Sequence, residues 1–175
     1  MTGGLHITVR GAVQGVGFRP HVHRLARALE LAGFVRNRGA DVEIEVEGER
    51  ADHLLTALRS APPPLAAIDR IDSRAMPPRG RHGFDIAPSI GPEPTAARAL
   101  ADLACCPDCL ADVLDPAGRY YRYPFTSCTQ CGPRYSIQAA VPYDRARTAM
   151  RAFPLCPACR AEYAEPGGRR FHAQA

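Results

Sequence analysis

Val9-Arg-Gly-Ala-Val-Gln-Gly-Val-Gly-Phe-Arg-Pro20 leads from an alternating segment, through closely spaced glycines, into a segment of helical spacing. Upstream, Leu5, Ile7 and Val9 alternate with His6, Thr8 and Arg10, the period of a half-buried strand. Downstream, Pro20 suits the first helical position, Val22, Leu25, Ala26 and Leu29 recur at helical spacing, and Gly33 is the expected C-cap. Gly15 and Gly17 can take backbone angles closed to other residues, so successive N–H groups can turn toward one point as an anion-binding nest. The helix that follows adds its positive end. Arg19 stands at that junction with a planar fork of donors that matches phosphate oxygens. On these residues alone, the loop fits a tight structural turn equally well. A dinucleotide fingerprint fits worse, because the third glycine of G-x-G-x-x-G would fall on Pro20.

Working outward, Phe34 to Arg38 reads as a second strand, Gly39 to Asp41 as a hairpin turn, and Val42, Ile44 and Val46 as a third strand. Ala51, Leu54, Leu55 and Leu58 mark a second amphipathic helix, stopped by Ala61-Pro-Pro-Pro64. Ile68 to Met76 and His82 to Ile86 alternate imperfectly and are weaker strands. The order β-α-β-β-α-β predicts an α+β, ferredoxin-like sandwich with two helices on one face of an antiparallel sheet. His21 and His23 are expected on the polar side of the first helix, solvated.

Hydrophobic residues make up 46% of the 175-residue chain, enough for a core. No stretch approaches the roughly 18 apolar residues of a membrane span, so a cytoplasmic protein is expected. The formal charge of +4 shrinks once metal-bound thiolates are counted, since a zinc on four cysteines carries about −2. That leaves little field for nucleic acid. All 22 basic residues are arginine, which excludes a Schiff-base lysine or an amine nucleophile and leaves anion chemistry to guanidinium groups and amides.

All seven cysteines lie between Cys105 and Cys159. Cys106-Pro-Asp-Cys109 and Cys128-Thr-Gln-Cys131 are separated by 18 residues, a spacing that lets four thiolates close around one tetrahedral Zn2+ in a structural role. Cys105 is left over as a spare thiol. The stretch Cys106 to Arg119 recurs 50 positions on as Cys156 to Arg169, which makes Cys156 and Cys159 half of a second site. Its remaining ligands would fall past Ala175, so a truncated second finger with an incomplete site is expected. His172 aligns with Arg122 and is expected to be a bystander. The division reads as 1–90 for the first domain, 91–104 for a Pro- and Gly-punctuated linker, 105–140 for the first finger and 141–175 for the second.

Gly11-x-Val13-Gln-Gly-Val-Gly-Phe-Arg19, with Gly33-Phe-Val-Arg-Asn37 after it, resembles the signature of the acylphosphatase family over about the first 88 residues. The resemblance implies that the amides of Gln14, Gly15, Val16, Gly17 and Phe18 cradle a phosphate, that Arg19 holds it, and that Asn37 positions the attacking water. Without the resemblance, Asn37 reads as an asparagine beside a turn. Such a domain ahead of tandem fingers, with Tyr121-Arg-Tyr-Pro-Phe125, Cys131-Gly-Pro-Arg134, Pro142-Tyr-Asp-Arg145 and Phe153-Pro-Leu-Cys156, is similar to the N-terminal part of the carbamoyltransferase family of nickel–iron hydrogenase maturation. That resemblance implies hydrolysis of carbamoyl phosphate and a protein partner in hydrogenase maturation, while the later ATP-using domains are absent. The other reading is a zinc-stabilised module for protein or RNA with a non-catalytic loop, in which Arg119, Tyr120, Tyr121, Arg122 and Tyr123 stack bases. The interspersed Asp102, Asp108, Asp112 and Asp115 count against nucleic acid.

Overall fold

A computed structural model describes residues 3–91, 103–132, 134–140, 144–165 and 167–174. Most of the expected linker, residues 92–102, lies outside the described residues, as do Pro133 and the start of the second finger with Pro142 and Tyr143. The chain forms two compact units, one of Met1–Gln14 with Phe18–Ala97 and one of Arg98–Ala175 together with Gly15–Gly17 from the glycine-rich loop.

The first unit is the expected α+β arrangement. Strands β1 (Gly4–Ala12), β2 (Ala32–Arg38), β3 (Asp41–Glu47), β4 (Ala67–Met76) and β5 (Phe84–Ile86) form one sheet in the order β4-β1-β3-β2-β5. Every pairing is antiparallel except that of β5, which runs parallel to β2. Helices α1 (Phe18–Ala28) and α2 (Ala51–Ser60) pack on each other, α1 against β2 and β5 and α2 against β1. Register places Ile7 opposite Ile44, Val9 opposite Val42 and Val35 opposite Ile44, and these fully buried side chains form the core with Val22, Leu54 and Leu58. β4 is an edge strand with charges on both faces, and its register shifts against β1 at Arg10/Gly11. Exposure and the bulge together blur its alternation.

Two expectations about α1 change. The helix begins at Phe18, so Pro20 is its third residue; this costs nothing, because first-turn N–H groups have no acceptor inside the helix. It ends before Gly33. Leu31 N–H bonds to Ala26 O at 2.9 Å and Glu30 N–H to Arg27 O at 3.1 Å, a six-to-one plus five-to-two closure with Glu30 in the left-handed conformation at φ 56°. Gly33 belongs instead to β2, at φ 141°, where an added Cβ would stand 2.0 Å from Glu45 O. It is glycine because the neighbouring strand comes too close for a side chain.

On the sheet face away from the core, Glu43, Glu45 and Glu47 are buried among arginines. Glu43 meets His6 at 2.9 Å, Arg36 at 2.7 Å and Arg38 at 3.0 Å, while Arg79 and Arg81 hold Glu45. Glu47 accepts N–H bonds from Arg79, Gly80 and Arg81, which fixes the path between β4 and β5. Burial opposes the Glu43 charge, but hydrogen bonds from His6 and Arg36 and the field of Arg38 outweigh it and hold this carboxyl below its ordinary range.

In the second unit, α3 (Pro107–Leu114) and α4 (Pro157–Ala164) each start on a proline, and each is capped by the preceding cysteine, whose sulfur accepts from the amide three residues on. Single 3-10 turns lie at Tyr135–Ile137, Arg145–Arg147 and Ala149–Ala152. The 50-residue repeat is structural. Arg122 N–H to Val113 O (2.9 Å) is matched by His172 N–H to Tyr163 O (3.0 Å), and Arg122 and His172 share a left-handed φ of 57° and 54°. Few apolar side chains are buried here, which leaves this unit dependent on polar and thiol contacts.

Gly33→Ala is expected to cost at least about 2 kcal/mol, whereas Glu30→Gly, relieving a left-handed residue, should gain up to about 1 kcal/mol. Urea unfolding midpoints of the two variants check the contrast. Because the Glu43 pKa is depressed in the fold, its stabilisation is complete above the unfolded value of about 4.3 and is lost as pH falls through the folded value. Glu43→Gln should therefore be less stable than wild type at pH 7 and flatten the acid limb of a pH–stability curve.

Candidate functional site

Val13 and Phe18, at the two ends of the loop between β1 and α1, are buried, as is Val16 within it. Between them Gly15 (φ 79°) and Gly17 (φ 70°) flank Val16 in left-handed conformations, the alternation that turns amides toward one side. The Gln14 side chain turns to the β2–β3 hairpin, with its Oε1 buried and without a hydrogen-bond partner among the described residues. Its Nε2 donates to Gly39 O at 2.9 Å and Asp41 O at 3.1 Å, tying the loop to the β2–β3 hairpin and leaving only its backbone for the cradle.

Asn37 lies on β2 opposite Val42. Strand alternation puts it on the same face as Val35, the side on which α1 packs. It is 2% exposed, and its side-chain Oδ1 is buried with no hydrogen-bond partner among the described residues. Its own carbonyl accepts from Ile90 N–H at 3.0 Å. Arg19, the second residue of α1, donates from Nη1 to Ser89 Oγ at 3.5 Å.

Ser89 escapes sequence reasoning, because Ala87-Pro-Ser-Ile-Gly91 reads as linker punctuation. The structure continues the line of β5 instead. Ala87 N–H bonds to Val35 O at 3.0 Å, and Gly39 N–H to Ile90 O at 2.9 Å, so the segment runs along β2 past Asn37.

The α1 histidines are not a solvated pair. His23 is 4% exposed and meets the Phe84 ring edge-on at 6.1 Å, because the buried stripe Phe18, Val22 and Ala26 is wide enough to include it. Burial, then Arg24, lowers the His21 pKa. Burial also lowers that of His23, against a hydrogen bond with the Phe84 backbone. Both are neutral near pH 7, which leaves no imidazolium on this helix.

In the second unit the sulfurs of Cys106, Cys109 and Cys131 lie within 4.8 Å of one another, with Cys131 3.6 Å from Cys106 and 3.9 Å from Cys109. Ligands at about 2.3 Å in a tetrahedron stand about 3.8 Å apart, so this set fits a zinc ion. Cys128 stands beside the cluster, its sulfur accepting from Cys106 N–H at 3.1 Å. Burial opposes its ionisation, but the amides of Cys106, Gln130 and Thr129 and the Cys105 thiol outweigh that and lower its pKa. Cys105, expected to be spare, thus contacts Cys128. Burial pushes Cys109 up to about 11, and its thiol donates to Ser127 O. Among the described residues no third ligand joins Cys156 and Cys159 in such a cluster, and His172 stacks on Tyr163 at 4.9 Å. Tyr120, expected in a base-stacking run, is buried beneath Arg170 at 3.8 Å and bonds to Glu162.

Residues 5–86 match the acylphosphatase family, and residues 105–138 and 155–175 match the HypF finger family. The chain is 52% identical over 146 residues to carbamoyltransferase HypF of Rhizobium leguminosarum bv. viciae, an alignment covering 83% of this chain and 19% of that protein. An acylphosphatase of Cupriavidus pinatubonensis is 40% identical over 89 residues, 49% of this chain and 96% of that protein. Full-length HypF solved in its phosphate- and nucleotide-bound form superposes with a TM-score of 0.88 at 41% identity, over 99% of this chain and 23% of that one. The chain thus spans about a fifth of the HypF relatives it matches. No helix among the described residues is long and apolar enough to cross a membrane.

Gln14→Ala removes two hydrogen bonds to hairpin carbonyls and should cost about 1–3 kcal/mol. Amide hydrogen exchange should localise the loosening to the loop and to residues 39–41.

Proposed function

Because the chain belongs to the acylphosphatase family and carries HypF-type fingers behind that domain, we propose that it is an acyl phosphate hydrolase module acting on carbamoyl phosphate. The observation that carries the reading is the Asn37 carboxamide oxygen. A buried acceptor without a donor costs about 1–3 kcal/mol, a cost that a ligand water relieves by donating to it. The loop amides from Gln14 to Phe18 and the α1 N-terminus receive the phosphoryl oxygens, and Arg19 offers them its planar, charged fork of donors. Ser89 steadies the Arg19 guanidinium. The water held by Asn37 attacks phosphorus, its oxygen forming the new P–O bond while the proton it loses passes to a phosphoryl oxygen and so ends on inorganic phosphate. The bond from phosphorus to the acyl oxygen breaks, and a carboxylate, or carbamate from carbamoyl phosphate, leaves with the bonding pair.

An acyl phosphate is a mixed anhydride with a stable leaving group, so positioning and charge stabilisation suffice. No lysine, charged histidine or carboxylate base is required. The second unit holds a structural zinc on Cys106, Cys109, Cys131 and the adjacent Cys128, with Cys156 and Cys159 as part of a further site. The metal supplies a covalent staple to a unit with little apolar core. By resemblance, the carbamoyl group is destined for transfer, and a protein of hydrogenase maturation is the partner.

Phosphate release from carbamoyl phosphate and acetyl phosphate tests the assignment. Arg19→Ala should lose about 100-fold or more in kcat/KM, and Asn37→Ala a similar factor in kcat while inhibition by inorganic phosphate stays within about twofold. Unchanged hydrolysis by Arg19→Ala would sink the enzymatic reading, and normal turnover by Asn37→Ala would move the water elsewhere.

A further inference from the structure

The two C-P-x-C repeats exchange arginines. Arg169, in the second repeat, donates from Nη1 to Cys109 Sγ at 3.0 Å and to Cys131 Sγ at 3.3 Å, both in the first. Its other terminal nitrogen pairs with Asp112, three residues after Cys109, and reaches Asp108 O at 3.5 Å. Arg119, the counterpart in the first repeat, does the same in reverse. It lies 3.4 Å from Cys159 Sγ, 4.0 Å from Cys156 Sγ and 3.0 Å from Glu162, three residues after Cys159. Under the 50-residue shift, arginine maps on arginine, acid on acid and cysteine on cysteine. Two of these contacts recur under that shift, from the arginine to the second cysteine of the other repeat (Cys109 or Cys159) and to the acid three residues beyond it (Asp112 or Glu162), while those to Cys131, Cys156 and Asp108 O occur once. A stray surface side chain would not reproduce itself at the symmetry-related position.

The chemistry gives the exchange a purpose. Four thiolates on a divalent ion leave about two negative charges in a small volume, concentrated on sulfur lone pairs. A guanidinium spreads a permanent positive charge over planar N–H donors, so it can face two sulfurs while a carboxylate fixes its other edge. Asp112 and Glu162 are placed to do that fixing without touching sulfur themselves. Groups that hydrogen-bond to metal ligands orient them and typically govern 10- to 100-fold in metal affinity.

We infer that Arg169 is a positioning residue of the first cysteine centre and Arg119 of the Cys156–Cys159 pair, so that each repeat braces sulfurs of the other and the two act as one unit. The inference rests on the metal reading above.

The test uses the 175-residue chain loaded with zinc. Wild type, Arg169→Ala, Arg169→Lys and Asp112→Asn are compared by zinc release to a chromogenic chelator and by iodoacetamide alkylation of each cysteine, mapped by mass spectrometry. Arg169→Ala should release zinc about 10- to 100-fold faster and expose Cys109 and Cys131 to alkylation more than Cys106. Arg169→Lys should recover part of the loss, because it restores charge without the fork. Asp112→Asn should move both readouts in the same direction by a smaller factor, and it decides the matter if Arg169→Ala does not fold. Release and alkylation unchanged in a zinc-bearing variant overturn the bracing, as does a uniform rise at all cysteines. A wild-type chain that takes up no zinc overturns the metal reading itself, a result visible before any variant is made.

Discussion

The carboxamide of Gln14 bridges two carbonyls of the β2–β3 hairpin, and the arrangement at the head of the first unit depends on that bridge. The glycines of the loop are free to adopt many conformations, and nothing in their own chemistry selects one. Val13 and Phe18 are buried at the two ends of the loop, while Gln14 ties its start to the hairpin whose first strand carries Asn37.

The segment after β5 adds a second tie. By bonding to Val35, Asn37 and Gly39 in turn, it carries Ser89 to the Arg19 guanidinium. Three stretches far apart in sequence, Gln14 to Arg19, the end of β2 and residues 87–90, thereby carry the groups to which the chemistry is assigned.

Local patterns carried the sheet and both helices of the first unit, because alternation and 3.6-residue spacing are short-range signals. They failed where a tertiary neighbour overrode propensity. Gly33 looks like a helix stop, yet it is fixed by Glu45 on another strand, while the left-handed turn falls on a glutamate. His23 looks polar, yet it packs on Phe84 from the last strand. Of the candidate site, Arg19 and the glycines were legible from composition and spacing, and Asn37 only through family resemblance. Ser89 had no signal. Cysteine spacing pointed to a centre, and Cys106, Cys109 and Cys131 do converge, but the crossing arginines depend on how two repeats dock, which no window of sequence contains.

Among the described residues no strand pairs with the outer side of β4, and an open edge of this kind invites another chain to extend the sheet. Asp69, Arg70, Asp72 and Arg74 crowd this strand, and the shift at Gly11 twists it away from a flat template. A second copy docking there would have to desolvate or match these charges in a bent register, so the fold resists growing into fibrils along its one long free border.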